Sequence, residues 1–254
     1  MGILNLIKRL FIINKNIDVK ILPSQGLFYR NDFKIKINRS SKSSILEYES
    51  DFKKDDLGSI LSKVKKIVSD NTIVSDGYSF DHIKSIDIVF LFLEIVKFTK
   101  GKAINIEYNN EGKSAFIEFC SENFNYFKIG KDLSDMWSDK DKSFIIDGYK
   151  FSLPSIGIER CLTDFLIDKS YNPDSNNYTE YNYDFTYFLG DKDSLTIDEI
   201  LNLIQIFNYD IDQSELDKIG VIIELLQPMQ RYSLLKDEKV IEISAKLNLE
   251  KIFK

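Results

Sequence analysis

The chain has 254 residues, 43% of them hydrophobic and 13% aromatic, which is enough apolar material for a sizeable core. Its 11 glycines and 4 prolines are too few for collagen-like or linker-like classes. With 34 Lys and Arg against 40 Asp and Glu the net charge is −6. That balance argues against nucleic acid as a partner, because such binding draws its affinity mainly from neutralising phosphates. Two cysteines (Cys120, Cys161) and one histidine (His82) fall short of the four ligands of a structural zinc site. Neither a metal nor a disulfide framework is expected, and a reducing, intracellular setting is the simpler reading. The excess of Ile and Lys over Ala and Arg fits AT-rich coding DNA.

In chain order, residues 1–13 read MGILNLIKRLFII, with Lys8 and Arg9 inside the apolar run rather than ahead of it as a signal peptide requires. Leu6 stands where N-myristoylation wants Ser or Thr. Ile3, Leu6, Ile7 and Leu10 fall at helical spacing, so a short amphipathic helix that packs or docks is expected within residues 1–18. A strand over 19–22 then meets Pro23-Ser24-Gln25-Gly26, a turn signal. Residues 27–38 follow as a half-buried strand, with Phe33, Ile35 and Ile37 on one face and Lys34 and Lys36 on the other. A polar connector over 39–44 leads to helices at 55–69 and 81–98. The apolar run 86–98 is too short to span a bilayer. It reads as a buried helix whose exposed edge carries Asp87, Glu94 and Lys97, so no stable membrane insertion is expected.

Residues 103–108 and 114–119 form an expected hairpin around Asn109–Gly112, and short strands follow at 126–129, 143–146 and 150–153. Asp147-Gly148 is a two-residue hairpin turn. Thr196-x-x-Glu199 is a capping box before Ile200, Leu203, Ile204 and Phe207. Asp212-x-x-Glu215 has the same spacing before a helix that ends at Pro228. A last hairpin is expected around Asp237-Glu238. The fold class is α+β: a mixed amino-terminal half with short antiparallel hairpins and a mainly helical carboxyl-terminal half. Its parts are an amphipathic helix at 1–18, a mixed region with hairpins at 19–153, and a mainly helical region with a terminal hairpin at 154–254.

No catalytic constellation emerges. His82 lies at a helix start without a glycine-flanked Ser or a Cys beside it, so a capping or surface role is expected. Asp132, Asp135, Asp139 and Asp141 lack the order of a calcium loop, and no glycine-rich phosphate loop occurs, so no metal and no cofactor are expected. Paired carboxylates for hydrolysis are unavoidable among 40 acids and carry little specificity. The Tyr- and Asn-rich stretch 171–188 has no Lys or Arg to hold a phosphate backbone and suits packing or a protein interface.

Leu22-Pro23-Ser24-Gln25-Gly26-Leu27-Phe28-Tyr29, read as LPS-x-G-x-x-Y and followed by a strand carrying Lys34 and Lys36, resembles a family of baseplate hub and hub-assembly proteins of contractile-tailed phages. The order along the chain continues the likeness. An acidic patch (Glu47, Glu49, Asp51), the helix with Leu57, Ile60, Leu61 and Val64, the Asp87-centred helix ending in Lys100-Gly101, a hairpin, and Phe151–Ile156 opening a helical half all follow. The resemblance covers about residues 19–250. The family's CxxC pairs are missing from 108–112 and 228–233, and its central-helix arginine is absent from Glu94–Lys97, so no metal role is carried over. The resemblance implies a non-enzymatic role in tail morphogenesis, as a hub component or assembly factor. The partners would be other baseplate hub and tail proteins, met in the host cytoplasm during assembly and in the virion baseplate if the protein stays there. The alternative from another class is a hydrolase using paired carboxylates. Candidate interface residues are Pro23, Ser24, Gly26 and Tyr29 in the turn and Tyr178, Tyr181 and Tyr183 in the tyrosine-rich stretch. For the turn the other reading is packing, with Gly26 supplying an unusual backbone angle over a buried Tyr29.

Overall fold

Alternation in the first sheet survives folding, though over a shorter span than the sequence suggests. A computed structural model describes residues 16–20, 22–24, 26–54, 56–110, 112–120, 131–167, 186–190, 192–226, 233–236 and 239–242. Residues 1–15 of the helix expected over 1–18, the strand at 126–129 and residues 171–185 lie outside these. The last residues of that expected helix, 16–18, form a strand instead, because they pair with residues 36–38. Strands β1 (Asn16–Asp18), β2 (Ile35–Asn38) and β3 (Thr72–Val74) pair antiparallel in that order, with Ile17 opposite Ile37 and Ile35 opposite Val74. Ile35 and Ile37 point into the core, while Lys34 and Lys36 face out. The expected strand over 27–38 is cut to four residues because turns occupy the first part. The N–H groups of Leu27, Tyr29 and Phe33 donate to the carbonyls of Ser24, Gly26 and Arg30. The strand expected at 19–22 lies earlier, at 16–18, although Val19 N–H still reaches the Ile35 carbonyl.

Where a connector and an acidic patch were expected, helix α1 (Lys42–Lys53) forms, capped by the Ser41 hydroxyl on Ser44 N–H, with Ile45 and Tyr48 buried. Helix α2 (Leu57–Asn71) is capped likewise by Asp56 and runs directly into β3. Helix α3 (Asp87–Lys100) is buried over most of its circumference and ends at Gly101, whose φ of +70° suits a residue without Cβ. It forms the centre of a first core with Ile37, Tyr48, Ile60, Val68 and the hairpin β4 (Asn105–Asn110) and β5 (Lys113–Glu118).

A second sheet, β6 (Trp137–Ser138), β7 (Ser143–Ile146) and β8 (Tyr149–Phe151), turns at Asp147 and Gly148, both at positive φ as a two-residue hairpin demands. Phe144 and Phe151 pack in a second core with Phe28, Phe207 and Ile222. Helix α4 (Ile156–Ile167) follows, then α5 (Ile197–Gln205) behind its capping box, a π-helical turn at Ile206–Asp210, and α6 (Gln213–Leu226) behind Asp212. Strands β9 (Ser233–Lys236) and β10 (Lys239–Glu242) close the terminal hairpin. The fold is α+β. Among the described residues no helix is long and apolar enough to cross a membrane.

Candidate functional site

The turn that carries the LPS-x-G-x-x-Y pattern sits where the two cores meet. Phe28 enters the second core, packing edge-on against Trp137 at 5.4 Å between ring centroids. Tyr29 enters the first and stacks on Phe33 at 4.3 Å. Adjacent side chains can diverge in this way because Gly26, at φ +70°, reverses the chain just before them.

Beneath the turn lies Asp87, fully buried in the first turn of α3. Its Oδ2 accepts hydrogen bonds from the Tyr29 hydroxyl at 2.7 Å and the Ser24 hydroxyl at 3.0 Å, and its Oδ1 accepts from Ser24 N–H at 3.2 Å. The Tyr29 oxygen in turn accepts the Lys84 N–H at 2.7 Å. Three donors on one carboxylate offset the cost of removing it from water. They do not abolish that cost, since burial still pushes the Asp87 acid up to about 6 against the pull of Tyr29, Ser24 and Lys84. Burial, then the charge of Asp87, raises the Tyr29 phenol well above its ordinary value, so it remains a donor at neutral pH.

The segment after this point is clamped to α4. Ser85 N–H donates to the Pro154 carbonyl at 2.9 Å, and Ile156 N–H donates to the Ile83 carbonyl at 2.8 Å. Asp81 meets Arg160 through two bonds of 2.8 and 2.7 Å, and Glu159 joins Ser85 to Lys65. Gly157 permits the closest approach: a Cβ there would stand 1.8 Å from the Asp193 carbonyl oxygen. Asp193 is thereby held 3.1 Å from Nε2 of His82, whose Nδ1 accepts the Ser79 N–H at 3.0 Å. A ring that accepts at Nδ1 carries its neutral-state proton on Nε2 and donates it to Asp193.

Lys84 is 6% exposed, and its side chain lines a cleft of about 450 Å³ with Arg30, Tyr78, His82 and Asp193. Burial draws the ammonium down to about 8, with Asp193 and then Asp87 pulling the other way. A second cleft, of about 560 Å³, lies on the other side of Arg30 between the turn and β1–β2.

The residues expected to form a surface are placed differently. Pro23, Ser24 and Tyr29 are buried, and Ser24 and Tyr29 spend their polar groups on Asp87, so the turn follows the packing alternative. Gly26 is half-buried. Tyr178, Tyr181 and Tyr183 lie outside the described residues. Asp87, expected on an exposed helix edge, is instead the centre of the arrangement, and Lys84 was not singled out at all. A hint was available in the sequence, since Asp87 stands between Ile86 and Ile88 in a run with little room for a solvated face. His82 caps a short 3₁₀ turn, in keeping with the role expected of it. Asp141 binds Ser138 and Lys150 as a turn acid does. Among the described residues no cluster of three or more His, Cys, Asp or Glu could hold a metal ion. Comparison with protein-family models, curated proteins and solved structures finds no match.

Proposed function

We propose that this chain acts in phage tail morphogenesis, as a component of the baseplate hub or a factor that assembles it, by binding other proteins. One observation carries the reading. Two features of the hub-family resemblance that lie far apart in sequence, the LPS-x-G-x-x-Y turn and the Asp87 helix, are a single unit joined by three buried hydrogen bonds across about sixty residues of chain. A pattern with that physical basis is worth more than a short string that happens to match. The unit gives the turn a fixed shape, and a fixed shape lowers the ordering cost of association. Asp87 lends no support to the hydrolytic alternative, because its oxygens are spent on Tyr29 and Ser24.

Affinity purification of the tagged chain from cells in which its phage is replicating tests this. Baseplate hub and tail proteins are expected to co-purify in reproducible ratio. Recovery of the chain with host enzymes and no tail protein would refute the proposal.

A further inference from the structure

We infer that the trough formed by the two clefts on either side of Arg30 docks an acidic segment of a protein partner, whose carboxylates meet Lys20, Arg30, Lys34 and Lys84. The inference rests on the reading of this protein as one that works by binding proteins, and adds the chemistry of what it binds.

The clefts adjoin at Tyr29, Arg30 and Phe33, which line both. Lys20 and Lys34 line the first and Lys84 the second. Among the described residues none of these four cations has a carboxylate within ion-pairing distance, whereas their neighbours do: Lys36 has Asp18, Lys142 has Asp139 and Lys150 has Asp141. In a chain with more acids than bases, four unmatched cations gathered along one trough run against the overall charge. Lys84 adds the sharper observation. The residue is 6% exposed, lines the cleft and has no carboxylate within ion-pairing distance among the described residues, with Asp193 and Asp87 acting only from further away, so a bound carboxylate would relieve a cost the folded protein already bears.

The trough also discriminates among anions. Its lining includes Leu22, Phe33 and Ile35, and five acids, Asp18, Asp32, Asp76, Asp141 and Asp193, are spaced among its cations. A continuous phosphate backbone laid along it would meet those acids. A peptide with carboxylates spaced among apolar residues can place each charge on a cation and an apolar side chain on the apolar lining.

The test uses the purified full chain and a fluorescent peptide of about a dozen residues with glutamates spaced among leucine and serine. The controls are the same peptide with glutamine for glutamate and a single-stranded oligonucleotide. By fluorescence anisotropy the glutamate peptide should bind about tenfold more tightly than the glutamine one, and less tightly as salt rises. Arg30→Glu and Lys34→Glu, both at exposed positions, should each remove most of that selectivity while melting like the parent. Lys84→Met should reduce it without loss of fold. Equal binding of the two peptides, unchanged binding by Arg30→Glu, or tighter binding of the oligonucleotide would overturn the inference. Tagged chain from infected cells separates the two levels. If Arg30→Glu retrieves the same tail proteins as the parent at the same yield, this trough is not the contact, though the hub reading stands. If the parent retrieves no tail protein while peptide selectivity holds, the hub reading fails and the acidic-segment site stands.

Discussion

Tyr29→Phe isolates the chemistry beneath the turn, because it removes one oxygen and keeps the ring that stacks on Phe33. Two buried hydrogen bonds of 2.7 Å are lost, one to the Asp87 carboxylate and one from Lys84 N–H. A bond to a charged group contributes roughly 1.5–3 kcal/mol, and a buried donor left without an acceptor costs roughly 1–3 kcal/mol. The two ranges sum to roughly 2.5–6 kcal/mol, and a loss of about 3–4 kcal/mol, toward their lower half, is a large share of the ~5–15 kcal/mol that holds an ordinary domain folded. The sign of the pH dependence follows from Asp87. Its acid is raised to about 6 in the folded protein, so the cost of its buried charge is present above that value and disappears as pH falls toward the unfolded value of 3.8. The variant, with one donor fewer, holds its proton to still higher pH. Urea denaturation near pH 7.5 should therefore show about 3–4 kcal/mol of destabilisation, and near pH 5, where Asp87 is largely protonated, about 2 kcal/mol. A loss under about 1 kcal/mol at the higher pH, or the same loss at both, would refute the assignment of Asp87 as a buried carboxylate held by Tyr29.

Lys84→Met should stabilise the protein near neutral pH. A folded value of about 8 against 10.5 places the ammonium's burial cost below 8, and from 8 to 10.5 the parent sheds that cost as its native lysine loses the proton first. The shift, which already includes the pull of Asp193 and Asp87, is worth about 3 kcal/mol, and the difference should vanish in denaturation near pH 10.5. A less stable variant at pH 7 would contradict this. Gly157→Ala should cost about 2 kcal/mol in the same assay, since the new Cβ meets the Asp193 backbone. Gly58→Ala in α2, where a Cβ has room at 3.6 Å, should be neutral or stabilising by about 0.5 kcal/mol. Thr196→Ala removes the hydroxyl that accepts Glu199 N–H at the start of α5 and should cost about 1 kcal/mol, with no change if the cap is idle.

What was legible in the sequence was local. The Thr196–Glu199 box, the Asp147-Gly148 turn and the Asn109–Gly112 reversal each depend on residues within three or four of one another, and each is where the spacing put it. Errors arose where a partner is distant or a pattern is short. Helix α1 opens with Lys42, Ser43 and Ser44, so its helical stripe rests on Ile45, Tyr48 and Phe52 alone, and its acids stood out more than its period. Strand β3 has three residues fused to the end of α2, too few for alternation to register. The true alternation at 33–37 drew the second strand back over residues 27–32, which are turns. Asp87 is the most instructive case. A carboxylate on an apolar helix is ordinarily placed at the solvent edge, and its burial becomes favourable only when Ser24 and Tyr29, 63 and 58 residues away, deliver their donors. Spacing along one helix contains nothing of that.

The most direct test of the hub proposal is quantitative mass spectrometry of purified virions beside lysates of infected and uninfected cells. The proposal requires the chain to appear with infection. In virions it would be present at a small, fixed copy number if it is a hub component, and absent from them but abundant in the infected lysate if it is an assembly factor. Its presence in cells that carry no phage genes would contradict a role in tail morphogenesis.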